Sequence, residues 1–502
     1  MNRRILTCSL ITIMAAGVVS AFAVDAQKIG NVDVSAWRGF NLPGKYYGVE
    51  PQAVEDDFRM IAELGFNFVR LCLDYRRYVA KDDWLAFNED ALKEIDRAVD
   101  CGKKYNIHVC LDLHSAPGHV IGEVKEHGSL WDDRKAQDAF CEHWAMFARR
   151  YRHIPQERLS FNLVNEPAHG KYENCVVVFR RAIETIHAID PRRLIVVDGF
   201  GYGQRGPYTE LVPLPNVIQA TRGYQPFSLT HYRASGAKGS DTWPLPTWPM
   251  LPGILYSRTK KREDLNGPLV FKVDLRENTE IAIKVHEVSV KSVLVAKADG
   301  KTVWEKTFAP KEGKGEWKEV VFDEKSKSYR NIYDREYRFR LPTAAGEISI
   351  ENIDGNFLSF SELTLRLPDG RRWRFSTDTA WGHKPGVCKI SADGKILPLP
   401  DCYPEKMLND DLQPWLDIAA QGVPVFVGEF GAFNKTPHDV TLAWMKDCLE
   451  RWKKARIGWA LWTFRGPFGI LDSKRADVEY EDFHGHKLDR KMLDLLRQHL
   501  KD

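Results

Sequence analysis

Short apolar runs alternate with amphipathic stretches along most of this chain, and this alternation restricts the fold more than any other feature. Phe66–Leu73, Ile107–Leu113 and Leu159–Val164 are apolar runs of strand length, which is typical of strands covered on both faces. Asn88–Gly102 has the 3.6-residue period of an amphipathic helix. Val423–Gly428 is a further strand-like run near the other end of the chain. Repetition of strand and helix over this length predicts a parallel α/β fold, open or closed.

A central stretch of the chain has a different pattern. Apolar residues recur there at every second position, as at Ile281, Ile283 and Val285, and no long helical period interrupts them. This pattern predicts an all-β, sandwich-like module inserted into the α/β domain. The expected division of the chain is 24–258 and 386–502 for the α/β domain, with 259–385 as the insertion.

The charge balance excludes two classes of partner. The 502 residues include 72 Lys and Arg against 69 Asp and Glu, a formal net charge of +3. That balance is too even for a protein that binds nucleic acid or a membrane surface. With 43% hydrophobic and 28% charged residues, the composition is that of an ordinary globular protein, for which we expect a monomer and no membrane span.

The first 23 residues have the layout of a secretory signal peptide. Arg3 and Arg4 precede an apolar run from Ile5 to Val19, and Ala21-Phe22-Ala23 supplies a small-x-small cleavage pattern. The run is shorter than the roughly 20 residues that span a bilayer, which favours cleavage over a membrane anchor. The pattern therefore predicts a protein that is secreted or periplasmic.

Two glutamates stand at the ends of buried strand-like runs. Leu159–Pro167 reads LSFNLVNEP and contains Glu166, while Val423–Phe430 reads VPVFVGEF and contains Glu429. In a parallel barrel the carboxyl ends of all strands meet on one face, where barrel enzymes hold their reacting groups. Either glutamate alone would suit an ordinary salt bridge. Two of them on different strands suit glycoside hydrolysis, which needs an acid and a base or nucleophile across the scissile bond.

With these two motifs the chain resembles glycoside hydrolase family 5, the cellulase and mannanase family built on a (β/α)8 barrel. The NEP tripeptide on the expected fourth strand and the GEFG segment on the seventh are the most telling marks. The resemblance covers Trp37–Tyr256 and Gly386–Leu500 but not the central module. It implies an α/β fold, a TIM barrel interrupted after strand 6 by the β-module.

The resemblance also implies roles for individual residues. Arg70 matches the arginine that hydrogen-bonds the nucleophile, and His114 matches a histidine that lines the sugar site. Trp462 matches the tryptophan that forms the floor under the attacked sugar, and Asn165 is expected to bind the 2-hydroxyl.

One segment departs from the family pattern. The family has His-x-Tyr at the sixth strand, a spacing that places both side chains on one face. The segment here is Thr230-His231-Tyr232-Arg233, in which neighbours on a strand would point to opposite faces. Either a bulge brings His231 and Tyr232 to the site together, or only one of them faces the sugar. Both residues remain candidates at this point.

The mechanism implied by the resemblance is a retaining double displacement. Glu429 is the nucleophile and Glu166 the acid and then the base, with carboxyl groups roughly 5–5.5 Å apart. Arg70 is expected to lower the pKa of Glu429, and the anionic Glu429 to raise the pKa of Glu166. No cofactor is expected. β-1,4-glucan is the first choice of substrate, with exo-acting β-1,3-glucanase and β-mannanase activities left open.

Tryptophans in loops of the expected catalytic face are candidate platforms for further sugars. Trp131 follows the third strand, and Trp243 and Trp248 lie in a proline-rich stretch after the sixth. Aromatic side chains offer large flat apolar faces that suit sugar rings, and local packing is the alternative for each of them.

Two other functions fit parts of the sequence. A metal-dependent hydrolase would use Asp112, His114, His484 and His486, but no H-x-H motif closes an early strand. A non-catalytic glycan-binding protein would suit the aromatic β-module, yet both catalytic carboxylates are present. We therefore expect an enzyme, a glycoside hydrolase of the endoglucanase type acting on a β-glycan.

Overall fold

A computed structural model describes residues 27–43, 54–80, 83–121, 128–258, 264–378, 380–397, 399 and 403–500. The expected signal peptide, residues 1–23, lies outside these described residues. None of the described helices is both long enough and apolar enough to cross a bilayer.

Eight parallel strands form a closed barrel. In chain order they are Arg38–Leu42, Phe68–Asp74, His108–Ser115, Leu159–Asn162, Leu194–Asp198, Val217–Gly223, Val425–Phe430 and Gly458–Leu461. The eighth strand closes the ring against the first, with Ala460 opposite Gly39. The predicted (β/α)8 barrel is confirmed, and its interruption falls after the sixth strand.

Helices cover the outside of the barrel. The longer ones are Val54–Glu63, Glu89–Tyr105, Arg134–Tyr151, Tyr172–Ile189, Glu405–Ala419, His438–Lys454 and Arg490–Arg497. Asn88 begins the second of these, because its side chain accepts a hydrogen bond from the backbone N–H of Asp90 at 3.1 Å. Strand and helix side chains share one apolar cluster, in which Leu111 and Val427 join Trp144 and Trp444.

The insertion is a sandwich of two sheets. The first sheet contains Phe322–Asp323, Ser328–Arg340, Glu280–Ser289, Phe357–Arg366, Arg372–Asp378, Leu251–Pro252 and Ile254–Tyr256. The second contains Lys301–Phe308, Ser292–Ala298, Ala345–Gly355, Leu269–Leu275, Val387–Ile390 and Ile396–Leu397. Ile283 and Phe360 from the first sheet pack with Phe271 and Ile350 from the second in one apolar cluster. The module is therefore two-layered, and its strands run from Leu251 to Leu397.

Candidate active site

Side chains from five different barrel strands or their ends converge on one face of the barrel. Arg70 and His114 lie in the second and third strands, and Glu166 follows the fourth. Glu429 lies in the seventh strand and Trp462 follows the eighth. Glu166 has a φ of 47°, a left-handed conformation that is uncommon for residues other than glycine and that concentrates at functional sites.

Glu429 is a buried carboxylate that accepts two hydrogen bonds and forms a further ion pair. Arg70 Nη1 lies 2.6 Å from Glu429 Oε1, and the hydroxyl of Tyr224 donates to Oε2 at 3.0 Å. Arg222 Nη2 lies 3.5 Å from Oε1. Burial alone would raise the pKa of Glu429, but the guanidinium charges of Arg222 and Arg70 lower it to about 2. This carboxylate is therefore ionised at neutral pH, as a nucleophile must be.

Glu166 has the opposite protonation preference. Burial and the negative charge of Glu429 raise the pKa of Glu166 to about 7, against the opposing charge of Arg222. Arg222 Nε lies 3.3 Å from Glu166 Oε1. The backbone N–H of Glu166 donates to Asp198 Oδ2 at 2.9 Å. One guanidinium thus contacts both glutamates, and the two carboxyl groups have well-separated pKa values, the pattern of an acid paired with a nucleophile.

A polar network under the two carboxyl groups fixes Arg70. Its Nε donates to Asn162 Oδ1 at 2.8 Å, and its Nη2 donates to Asn165 Oδ1 at 2.9 Å. Arg70 Nη2 also lies 3.0 Å from Asp112 Oδ1. With so many buried acceptors around it, the guanidinium has a defined position against Glu429.

His114 and Trp462 form one wall of the site. Their rings stack with centroids 5.3 Å apart and an angle of 17° between the planes. His114 Nδ1 is 2.8 Å from Asp112 Oδ2, and its Nε2 is 3.3 Å from Asn165 Nδ2. The sequence-predicted residues Arg70, His114, Asn165, Glu166, Glu429 and Trp462 thus lie together in the structure.

Three further residues that contact the two glutamates were missed by the sequence reasoning, and they lie in or directly after the fifth and sixth strands. Asp198 ends the fifth strand, and its Oδ2 accepts hydrogen bonds from Arg222 and from Glu166. Arg222 lies in the sixth strand and Tyr224 directly follows it. The segment Arg222-Gly223-Tyr224 keeps the two-residue spacing of the His-x-Tyr motif, with arginine in the histidine position. That spacing was the available signal.

The assignment of Thr230–Arg233 to the sixth strand was wrong. The sixth strand is Val217–Gly223, and the chain then turns into a short helix, Phe227–Thr230. His231 follows this helix, and its ring lies 5.1 Å from that of Tyr224, beside the site. Tyr232 is buried beneath the Arg233 guanidinium, 5.3 Å away, and Tyr224 contacts Glu429 in its place.

The loop tryptophans have different surroundings. Trp131 is only 3% exposed, and its Nε1 donates to the carbonyl oxygen of Ala168 at 2.7 Å. The expected sugar platform at Trp131 is therefore incorrect, because its ring is enclosed by protein. Trp248 donates to Asp447 Oδ2 at 2.8 Å, and Trp243 packs edge to face with Phe227 at 6.0 Å.

One group of metal-ligand types occurs among the described residues, formed by Cys72, Asp112 and His114. It lies within the carboxylate network described above. The Arg70 guanidinium lies beside this group, with Nη2 3.0 Å from Asp112 Oδ1. A fixed positive charge at that distance repels a metal cation. The chemistry of the site is therefore built around Arg70 and the carboxylates.

A closed (β/α)8 barrel with two glutamates of well-separated pKa values at its strand ends is the arrangement that barrel glycoside hydrolases use. Comparison with known proteins narrows the class. A family model described as Cellulase (glycosyl hydrolase family 5) matches residues 25–243. Residues 25–243 are thus similar to the cellulase domain of glycosyl hydrolase family 5.

Curated relatives match about a third of the chain. Endoglucanase C of Acetivibrio thermocellus is 31% identical over 182 residues, which is 36% of this chain and 52% of that protein. Cellodextrinase A of Ruminococcus flavefaciens is 26% identical over 188 residues, 36% of this chain and 54% of that protein. The chain thus spans about half the length of these curated relatives.

Solved structures match over nearly the whole chain. A crystal structure described as a glycoside hydrolase has a TM-score of 0.59 and 28% identity, covering 92% of this chain and 99% of that one. Endoglucanase Cel5A from the hyperthermophilic Thermotoga maritima has a TM-score of 0.51 at 17% identity, covering 92% of this chain and 97% of that one. The second similarity supports the fold alone.

Proposed function

We propose that this protein hydrolyses β-linked glucan by a retaining double displacement. The observation that carries the proposal is the pair Glu166 and Glu429, whose pKa values are shifted in opposite directions around the shared guanidinium of Arg222. Such a pair supplies an acid and a nucleophile at the same pH.

In the first step, a carboxylate oxygen of Glu429 attacks the anomeric carbon and the bond to the leaving oxygen breaks. Glu166 gives its proton to that oxygen, so the shortened chain leaves as a neutral alcohol. In the second step, Glu166 takes a proton from water, which attacks the same carbon and releases Glu429 as a carboxylate. Two inversions at one carbon leave the anomeric configuration unchanged.

The proposed substrate is β-1,4-glucan. Relatives described as endoglucanase and cellodextrinase support a glucan as the substrate. The test is a panel of purified β-1,4-glucan, β-1,3-glucan, mannan and xyloglucan, with released products sized by chromatography. Cellodextrins from β-1,4-glucan alone are the expected result, and product lengths distinguish endo from exo action. Release of sugar from mannan or β-1,3-glucan only would contradict the choice.

The retaining stereochemistry needs its own measurement. Proton NMR of the products in the first minutes of reaction should show the β-anomer before mutarotation. The α-anomer as first product would mean inversion and would exclude Glu429 as a nucleophile. Binding of glucan without any release of sugar would identify a glycan-binding protein.

The proposed location is outside the cytoplasm, as the N-terminal residues suggest. Arg3, Arg4 and the apolar run from Ile5 support export with cleavage after Ala23. The test is expression of the full chain in a bacterial host, with fractionation and N-terminal sequencing. We expect the exported form to begin at Val24, and an uncleaved chain would contradict the proposal.

A further inference from the structure

Four aromatic side chains from the loops after the sixth and eighth barrel strands contact one another next to the active site, and we call them the aromatic patch: Phe227, His231, Trp243 and Phe468. The His231 ring stacks on Phe227 with centroids 4.0 Å apart and an angle of 21°. His231 lies 5.6 Å from Phe468, and Phe227 lies 6.0 Å from Trp243. The loops after the sixth and eighth strands thus contribute to one surface.

The aromatic patch begins at the nucleophile and extends outward. Tyr224 donates to Glu429, and the Tyr224 ring lies 5.1 Å from that of His231. Phe227, beyond His231, is 39% exposed. Burial lowers the pKa of His231 to about 4, so its ring is neutral at pH 7 and adds to an apolar surface. The catalytic mechanism does not use this surface.

The inserted module holds the loop that carries most of the aromatic patch. Ser228 Oγ, on the helix of Phe227, donates to Asp378 Oδ1 at 3.1 Å. The proline-rich stretch that contains Trp243 is bound to the same module strand, since Arg374 Nη1 donates to the carbonyl oxygen of Leu245 at 2.8 Å.

Further contacts continue along that strand. The backbone N–H of Thr247 donates to Ser376 Oγ at 2.8 Å, and Leu251 pairs with Thr377 in a parallel ladder. One module strand, Arg372–Asp378, therefore contacts the loop after the sixth barrel strand at two places, at Ser228 and again between Leu245 and Leu251.

We propose that the aromatic patch binds glucose rings of the glucan chain beyond the ring attacked by Glu429, and that the Arg372–Asp378 strand of the module holds the patch in position. This inference rests on the proposed function. The rings of a β-1,4-glucan carry their hydroxyl groups equatorially, so both faces of each ring present C–H groups that pack on aromatic surfaces. Continuity with Tyr224 makes the substrate chain the occupant of this surface.

The ligand part of the proposal predicts a change in chain-length preference. Phe227→Ala and Trp243→Ala are compared with the wild type on cellohexaose and on a short aryl cellobioside. Loss of one stacked ring should lower kcat/KM for cellohexaose about tenfold relative to that for the short probe. An unchanged ratio in both variants overturns the proposal.

A matched control variant distinguishes the effect of losing a patch residue from the effect of losing any exposed aromatic side chain. Phe322→Ala removes a phenylalanine that is 43% exposed, close to the 39% of Phe227, from a module strand that is not part of the patch. We expect this variant to keep the wild-type ratio of the two probes. A fall equal to that of Phe227→Ala would overturn the assignment of the patch as the sugar surface.

The support part of the proposal is tested at Ser228. Ser228→Ala deletes the donor to Asp378, and Ser228→Thr keeps a hydroxyl. Loss of this hydrogen bond should raise KM for cellohexaose about fivefold, with a smaller change in kcat, and the threonine variant should restore most of it. Equal KM values in all three proteins would overturn the role given to the module.

The two proposals fail in different ways. A wild-type protein that cleaves neither probe contradicts the proposed function and this inference together. A wild-type protein that cleaves both probes, with variants that keep its chain-length preference, contradicts the aromatic patch alone.

Discussion

Arg222 Nε lies 3.3 Å from Oε1 of Glu166, so a permanent positive charge faces the carboxyl group that we propose as the acid. The guanidinium favours the ionised form of Glu166, while burial and Glu429 favour the protonated form. The second pair of effects is the larger, and the pKa of Glu166 rises to about 7. Arg222 therefore limits this rise at the same time as it stabilises the Glu429 carboxylate.

We predict that removing the charge of Arg222 moves the pH profile. Arg222→Met should raise the pKa of both Glu166 and Glu429, because Arg222 lowers both, and so shift both limbs of kcat/KM against pH upward. It also leaves Asp198 buried without its main cation, which should cost about 3–5 kcal/mol of unfolding free energy. Arg222→Lys, which keeps a charge, is the control. Identical limbs in the two variants would contradict the prediction.

In the wild type, kcat/KM should stay high over a wide range of acid pH and should fall near neutral pH. Glu166 must be protonated to act as an acid, so activity is present below its pKa of about 7 and is lost as pH rises through that value. Glu429 stays ionised down to its pKa of about 2. The measurement is kcat/KM on an aryl cellobioside across the pH range in which the protein remains folded. An alkaline limb at pH 9 or above would contradict this assignment.

Loss of the nucleophile should abolish turnover without abolishing binding. Glu429→Gln keeps the shape of the side chain but cannot attack, so kcat should fall by at least about a thousandfold. Cellodextrin binding by calorimetry should remain measurable in this variant, since the other site residues are intact. Near-normal hydrolysis would exclude Glu429 as the nucleophile.

Substitution of Tyr224 and of Tyr232 tests which of these two tyrosines belongs to the active site. Tyr224→Phe removes the hydrogen bond to Glu429 Oε2, and kcat/KM should fall about tenfold to a hundredfold, because a bond to a charged group contributes about 1.5–3 kcal/mol. Tyr232→Phe is the matched control and should remain within about threefold of the wild type, given its place under Arg233. The reverse order of the two effects would restore Tyr232 to the site.

We predict that the buried ring of Trp131 stabilises the folded protein. Trp131→Ala removes a ring that is 3% exposed and should lower the unfolding free energy by about 3–5 kcal/mol, measured by chemical denaturation. Trp381→Ala, at a tryptophan that is 52% exposed, should change it by less than about 1 kcal/mol. Equal stability of the two variants would mean that Trp131 is not a core residue.

The sequence alone determined the barrel, the interruption after its sixth strand and the strand ends at which most of the candidate site residues lie. In a parallel barrel every strand is apolar and every carboxyl end lies on the same face. A polar residue that ends an apolar run, as Arg70, His114 and Glu429 do, can therefore be assigned to that face without coordinates.

Only the tertiary structure decided where the sixth strand ends. Its bounds depend on hydrogen bonds to the seventh strand, where Val425 pairs with Gln219 across the whole inserted module. Because this partner strand lies far away in the chain, the local spacing of Arg222-Gly223-Tyr224 does not by itself decide between that segment and His231-Tyr232. The burial of Trp131 and the contact of Ser228 with Asp378 likewise depend on which distant segments pack together. Local residue patterns define elements and strand ends, whereas long-range packing determines which side chains meet.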